Sequence, residues 1–318
     1  MTSSNSSVVF LFPGQGSQAV GMGKELADNY PVARQTFEEA DEALGYPLSQ
    51  VCFEGPEEKL KLTEITQPAI LTVSIAAWRV LREKGLQADF VAGHSLGEYS
   101  AHVAAGTLTF ADAVRTVRNR GRYMQEAVPV GVGAMAAILG MPAEKVTGIA
   151  ADAAQGEVCQ AANINSPEQI VISGNADAVE RAIKLAHERG AKKAVNLPVS
   201  APFHCALMQP AQDRLAEDLR TLPFQNPMCA VVCNVDAAAV ASAEASRAAL
   251  VRQVTGTVRW EPSVRLLIEK GASLFIEIGP GKVLWGLMRQ IDRSKTCLTV
   301  GDEASLQKTM AQVAALAA

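Results

Sequence analysis

The pentapeptide Gly93-His94-Ser95-Leu96-Gly97 constrains this chain more than any other feature. It fits G-x-S-x-G and stands between the short apolar run 90–92 and a helix-compatible stretch that continues to Ala105, which reads as strand, tight turn, helix. Bulky side chains in place of the glycines would block the turn and the approach of a substrate. The helix that follows points its unpaired N–H groups and positive dipole end at Ser95, so negative charge developing on a substrate carbonyl is stabilised there. A glycine-flanked turn serine without chemistry is the bland alternative. The strand before it and the helix after it favour a nucleophile.

The remaining pattern says what such a turn hangs from. An apolar run at 8–12 stops at Pro13-Gly14, and amphipathic stretches follow at 21–44 and 67–84, with another helix at 110–128. From residue 131 to 197 the texture changes. Two glycine-flanked strand candidates, 134–139 and 169–173, alternate there with helices near 143–153 and 176–189, as expected of a small α+β unit inserted in a larger one. The C-terminal third returns to a strand at 230–233, helices at 247–254 and 262–270, and a strand at 274–278. The sharp turn Gly279-Pro280-Gly281 and a helix at 283–289 complete it. Alternation of this kind predicts an α/β fold with a mostly parallel sheet covered by helices on both faces. At 318 residues the chain exceeds the usual single domain, and 48% hydrophobic against 19% charged residues gives it material for a large core.

Several function classes fall away. A formal charge of -4 with no run of five or six like charges offers no field for nucleic acid. The six cysteines form no CxxC pair and no Cys/His spacing suited to a tetrahedral metal site, so no metal is expected, and reduced thiols in a cytoplasm fit best. Residues 1–7 lack the basic and apolar regions of a signal peptide, so export is not expected. The longest uncharged stretch, 127–143, is broken by Pro129, Gly131, Gly133, Gly140 and Pro142, whereas a membrane span needs about 20 apolar residues. A soluble protein without a membrane partner is predicted.

A serine hydroxyl needs a base within hydrogen-bond reach. Of the four histidines, His94 leaves the turn in a different direction from Ser95, and His102 lies about two turns along the following helix, packed or solvated. His187 sits on a polar helical surface. Elimination leaves His204, in the proline-stiffened segment 198–204 ahead of a helix, as the leading base without removing His94 and His102. Gly14-Gln15-Gly16-Ser17-Gln18-Ala19 formally matches G-x-G-x-x-G/A, but the helical pattern at 31–44 stands where a dinucleotide fold needs its second strand and acidic residue. Backbone N–H donation to an oxyanion is the better use of that loop, and a plain turn the bland one. On the 110–128 helix, Arg120 falls in the stripe of Ala113, Val117, Met124 and Ala127, roughly 140° or more from Arg115, Arg118 and Arg122. It should face inward, toward an internal carboxylate, along a stem that reaches water, or onto an anionic ligand.

Taken in order, Phe12-Pro13-Gly14-Gln15-Gly16-Ser17-Gln18, Gly21-Met22-Gly23, Thr66-Gln67-Pro68-Ala69, Gly93-His94-Ser95-Leu96-Gly97-Glu98, Arg120-Gly121-Arg122-Tyr123-Met124-Gln125, Asn165-Ser166-Pro167, Phe203-His204 and Glu277-Ile278-Gly279-Pro280-Gly281 resemble the malonyl-CoA:acyl carrier protein transacylases of fatty-acid synthesis. The resemblance spans residues 8–289. It implies an α/β-hydrolase-like large domain (1–130 and 198–318) with an inserted ferredoxin-like subdomain (131–197). It implies a Ser95–His204 dyad working without a cofactor, the Gln15 and Leu96 amides as oxyanion hole, and the Gln253 main-chain carbonyl orienting His204. Arg120 would bind the malonyl carboxylate, with Gln67, His94 and Asn165 as further polar positions at the substrate. The implied partners are malonyl-CoA and acyl carrier protein, and the implied state is a monomer. Arg115, Arg118 and Arg122 form a candidate face for an acidic carrier, with a plain solvated face as the alternative. Ala201 departs from related polyketide acyltransferases, which often carry histidine there, so malonyl is favoured with methylmalonyl open. A serine hydrolase and a catalytically dead carrier-binding module are the competing readings.

Overall fold

The computed structural model describes residues 7–199 and 201–317. Expectations placed on segment 1–6 and on Ser200 lie outside the described residues. The strands are β1 (Ser7–Phe12), β2 (Phe90–Gly93), β3 (Gly133–Leu139), β4 (Cys159–Ser166), β5 (Gln169–Asn175), β6 (Lys193–Asn196), β7 (Ala230–Cys233), β8 (Ala238–Val240), β9 (Ala272–Ile278) and β10 (Thr296–Val300). They form a six-stranded sheet in the order β10-β9-β1-β2-β7-β8 and a four-stranded sheet in the order β4-β5-β3-β6. The protein is thus a mixed α/β fold.

The large sheet is parallel except at β8, which returns antiparallel to β7. β1 lies inside it, and its unbroken apolar run reflects burial on both faces. Val9 and Leu11 pack with Trp260, Phe275 and Leu284, whereas Phe10 and Phe12 turn the other way into a cluster containing Ile70, Leu71 and Tyr99. The small sheet is antiparallel throughout. With the helices Ala143–Ala154 and Ala176–Glu188 it runs β-α-β-β-α-β and has its own core, including Ile138, Ile149, Ile170, Ile172 and Val179. An isolated parallel bridge ties β4 of the small sheet to the segment just ahead of the helix Trp260–Glu269: the Ile164 amide donates to the Val258 carbonyl at 2.9 Å, and the Val258 amide to that of Ala162 at 2.8 Å.

The strands expected from sequence are all present, and the structure adds four, β4, β6, β8 and β10. Each is an edge of its sheet. The amphipathic stretch 21–44 divides into Lys24–Asn29 and Pro31–Leu44, because Tyr30 takes the extended conformation favoured before proline. The helix expected at 67–84 is Thr63–Glu83, which begins a turn before Pro68 and forgoes the hydrogen bond that proline cannot donate.

The serine turn is seated on the end of β1. The His94 amide donates to the Phe12 carbonyl at 3.0 Å, and Ser95 adopts φ 51, a left-handed conformation costly for a residue with a side chain. A Cβ on Gly97 would collide with the Phe12 carbonyl, and one on Gly93 with the Gly97 carbonyl. Backbone on both sides cannot yield, so Gly97→Ala should lower the urea-unfolding free energy by about 3 kcal/mol or more. Gly148→Ala, in an open position of the helix Ala143–Ala154, should instead stabilise by about 0.5–1 kcal/mol. Comparable effects at the two positions would show that the elbow tolerates a side chain.

Candidate active site

The candidate residues meet at the carboxyl ends of β1 and β2, in a cleft of about 150 Å³ between the two sheets. The loop after β1 brings Gln15, the elbow brings Ser95 and Leu96, and the small sheet contributes Met135 and Asn163. His204 is held in a left-handed turn (φ 59) ahead of the helix Gln209–Thr221, and is 4% exposed. Its Nε2 lies 2.7 Å from Ser95 Oγ, and its Nδ1 lies 2.9 Å from the Gln253 carbonyl oxygen. A carbonyl only accepts, so Nδ1 carries the proton and Nε2 offers its lone pair to the serine hydroxyl.

The electrostatics keep that lone pair free. Burial, reinforced by the Arg120 charge, drives the His204 pKa from 6.5 down to about 3, against the opposing pull of the Gln253 carbonyl. Arg120 is 1% exposed, as its helical phase requires. Its Nη1 donates to Gln67 Oε1 at 2.7 Å, and its Nη2 to Gln253 Oε1 at 3.0 Å and to Ser95 Oγ at 3.2 Å. All three acceptors are uncharged. Arg120 forms no ion pair among the described residues, and its Nε has no partner. The internal carboxylate that would have made it structural is not in contact with it.

His94 leaves the elbow away from Ser95. It hydrogen-bonds Asn165 Oδ1 through Nε2 at 2.8 Å and packs against the Trp260 ring. His102 is fully buried, so the solvated alternative does not apply, and burial lowers its pKa to about 3. His187 is on the surface, 3.2 Å from the Ala194 carbonyl. The predicted basic face is partly committed elsewhere: Arg115 pairs with Asp112 at 2.8 Å, and the Arg118 and Arg122 guanidinium groups lie over the rings of Tyr46 and Tyr123.

Sequence reasoning missed a layer behind the serine. Asn234 Oδ1 accepts the Ser95 amide at 2.7 Å while its Nδ2 donates to the Gly93 carbonyl at 2.7 Å. The Gln253 side chain donates through Nε2 to the Ser95 carbonyl at 2.9 Å and to Glu98 Oε2 at 2.7 Å. Asn234 directly follows β7, and residues just beyond the carboxyl ends of parallel strands are where such sheets place their sites. Among the described residues, no group of three His, Cys, Asp or Glu is placed to hold a metal ion, and no helix is long and apolar enough to cross a membrane.

Comparison with known proteins puts this arrangement in a family. Residues 9–314 match the acyl transferase domain. The chain is 50% identical over 303 residues to the malonyl CoA-acyl carrier protein transacylase of Bacillus subtilis, covering 95% of this chain and 96% of the relative. An acyl carrier protein S-malonyltransferase from Vibrio cholerae superposes with a TM-score of 0.94 at 50% identity, covering 96% of this chain and all of the other. A malonyl-transacylase solved in complex with its type II PKS acyl-carrier protein superposes with a TM-score of 0.92 at 49% identity, over 95% and 98% of the two chains.

The depressed His204 pKa has a consequence for stability. Between the unfolded value of 6.5 and the folded value of about 3, the unfolded chain binds a proton that the folded protein does not. The contribution of neutral His204 is therefore complete above the upper value and is lost as pH falls toward the lower one. The loss of unfolding free energy from about pH 7 to about pH 4 should be smaller in His204→Gln than in wild type, other groups cancelling in the comparison. Equal losses would mean that the imidazole is not held neutral.

Proposed function

The chain belongs to the acyl transferase domain family, and on that premise we propose that it transfers malonyl from malonyl-CoA to the phosphopantetheine thiol of acyl carrier protein through an ester on Ser95. The observation that carries the mechanism is the 2.7 Å contact between Ser95 Oγ and His204 Nε2, set beside a buried guanidinium that lacks an anionic partner. In the first half-reaction His204 takes the Ser95 proton while Oγ bonds to the thioester carbon. The C–S bond breaks as the tetrahedral intermediate collapses, and His204 returns the proton to the departing coenzyme A thiolate. In the second, the carrier thiol gives its proton to His204 and attacks the ester, and Ser95 Oγ leaves with that proton.

The Gln15 and Leu96 amides serve as the oxyanion hole; both residues line the cleft, and among the described residues neither amide has an intrachain acceptor comparable to Asn234 for Ser95. The Gln253 carbonyl fixes the productive tautomer of His204, as its 2.9 Å contact supports. Arg120 takes the malonyl carboxylate, a charge-assisted contact that neutral acyl groups lack. Gln67 holds Arg120 in place, and Asn165 holds His94 at the cleft wall. The finer description of the fold belongs to the same reading: an α/β-hydrolase-like domain of residues 1–130 and 198–318, with a ferredoxin-like subdomain at 131–197. The β-α-β-β-α-β order and the sheet order β4-β5-β3-β6 support the latter. We place the protein in the cytoplasm as a monomer.

Brief exposure to malonyl-CoA should add one malonyl group to the wild type by intact-protein mass spectrometry and none to Ser95→Ala. The adduct should persist in buffer until a carrier thiol is supplied; its prompt loss to water would make the enzyme a hydrolase. Arg120→Ala should lower kcat/KM for malonyl-CoA about 10²-fold more than for acetyl-CoA, the loss expected from one unpaired charged hydrogen-bonding site. An equal loss for both thioesters would show Arg120 to be structural.

A further inference from the structure

Behind the nucleophile lies a carboxylate that the mechanism does not use. Glu98 is 0% exposed, and one of its oxygens, Oε2, accepts from the Asn234 amide at 2.9 Å and from Gln253 Nε2 at 2.7 Å. Both donors are themselves fully buried and both reach the active site. Asn234 holds the Ser95 amide. Gln253 holds the Ser95 carbonyl through Nε2, Arg120 Nη2 through Oε1, and His204 Nδ1 through its main-chain oxygen. Nucleophile, base and guanidinium are therefore linked to one acidic residue through Asn234, which reaches it by its main-chain N–H, and Gln253, which reaches it by its side chain.

We propose that Glu98 is a positioning residue for the transfer reaction, setting the orientation of the Gln253 amide and, through it, the placement of Arg120 against Ser95. The chemistry of the three groups leaves one satisfied arrangement. A guanidinium only donates and a carboxylate only accepts, so an amide between them must turn its oxygen to Arg120 and its nitrogen to Glu98. Without the acceptor at Glu98 the amide nitrogen keeps the Ser95 carbonyl at 2.9 Å and a longer contact to Asn234 Oδ1 at 3.3 Å but loses its shortest acceptor, so the amide is held less firmly, and any turnover sets its NH2 against Arg120, donor against donor. The guanidinium loses one of its fixing contacts while keeping Gln67. Glu98 touches neither substrate nor reacting atoms, and its effect passes entirely through Gln253 and Asn234.

The proposal rests on malonyl transfer as the reaction, and wild-type turnover of malonyl-CoA in the same assay separates a failure of that reading from a failure of this one. Glu98→Met, similar in size but lacking the acceptor, should lower kcat/KM for malonyl-CoA about 10²-fold, the cost of displacing a reacting group by about 1 Å. Acetyl-CoA turnover should fall less, because it does not use Arg120. Glu98→Gln, which can present an oxygen to the same two donors, should restore the malonyl-to-acetyl ratio of the wild type. A purely structural role would lower the melting temperature of Glu98→Met and leave that ratio unchanged in the folded fraction, and this result would overturn the proposal. Should Glu98→Met fail to fold, Gln253→Met tests the link on which the proposal depends, since it removes the amide between Glu98 and Arg120 and leaves the main-chain carbonyl on His204. The same fall in ratio is expected there, and an unchanged ratio overturns the proposal equally.

Discussion

The Phe12 carbonyl is the point on which the site turns. It accepts the His94 amide, and it occupies the space that a side chain at Gly97 would need. Because β1 and β2 run parallel with Phe12 opposite Gly93, the loops beyond their carboxyl ends emerge side by side, one carrying Gln15 and the other Ser95. Nothing about the serine's reactivity is needed to explain this closeness. It follows from parallel register and from a glycine where the helix starts, and the strained backbone at Ser95 is the conformational cost of the turn.

Arg120 and His204 are linked in a way that neither shows alone. The guanidinium adds to burial in depressing the His204 pKa, so the resting imidazole is a weak base for a hydroxyl that also accepts a bond from Arg120. A carboxylate docked on Arg120 would cancel the second of these causes and draw the guanidinium toward itself. Basicity at Nε2 would then rise as substrate binds. On the proposed reaction, recognition of the acyl group and activation of the nucleophile are two results of neutralising the same buried charge, which is why a cation is retained in a site that offers it only amide and hydroxyl oxygens.

What could be read from sequence and what could not divide along physical lines. β1, β2, β5, β7 and β9 are flanked by other strands, and β3 lies between β5 and β6, so their residues form compact apolar runs. The four unread strands are the edges: β6 buries only Ala194 of its Lys193–Asn196, and the apolar pattern of β4 is interrupted by Asn163 and Asn165, which are buried at the site rather than exposed at the edge. The elbow and the inward phase of Arg120 were legible because each depends on local spacing. The Gln253 side chain and Asn234 were not, because their roles come from amide geometry assembled across positions 139 to 158 residues from the elbow serine. For Asn234 the end of β7 was the one available signal.

The helix Gly97–Ala104 shows how much structure is committed to holding the nucleophile still. All eight of its residues are buried, yet Glu98 Oε1, Tyr99 Oη, Ser100 Oγ and both His102 nitrogens have no hydrogen-bond partner among the described residues. Polar groups left this way ordinarily oppose folding, and a wholly apolar helix would pack the same space at lower cost. The ionisable ones have responded as burial demands, with Glu98 pushed up to about 7 and His102 down to about 3, so each is drawn toward its neutral form. Glu98 is the exception in function: two amide donors and the nearby Arg120 charge favour its anion against that burial. A carboxyl group retained there at such expense is accounted for by what hangs from it, since the same two donors hold the Ser95 backbone and one of them, Gln253, also holds Arg120. The stability given up behind the elbow is the cost of keeping the nucleophile, the base and the guanidinium in one fixed relation.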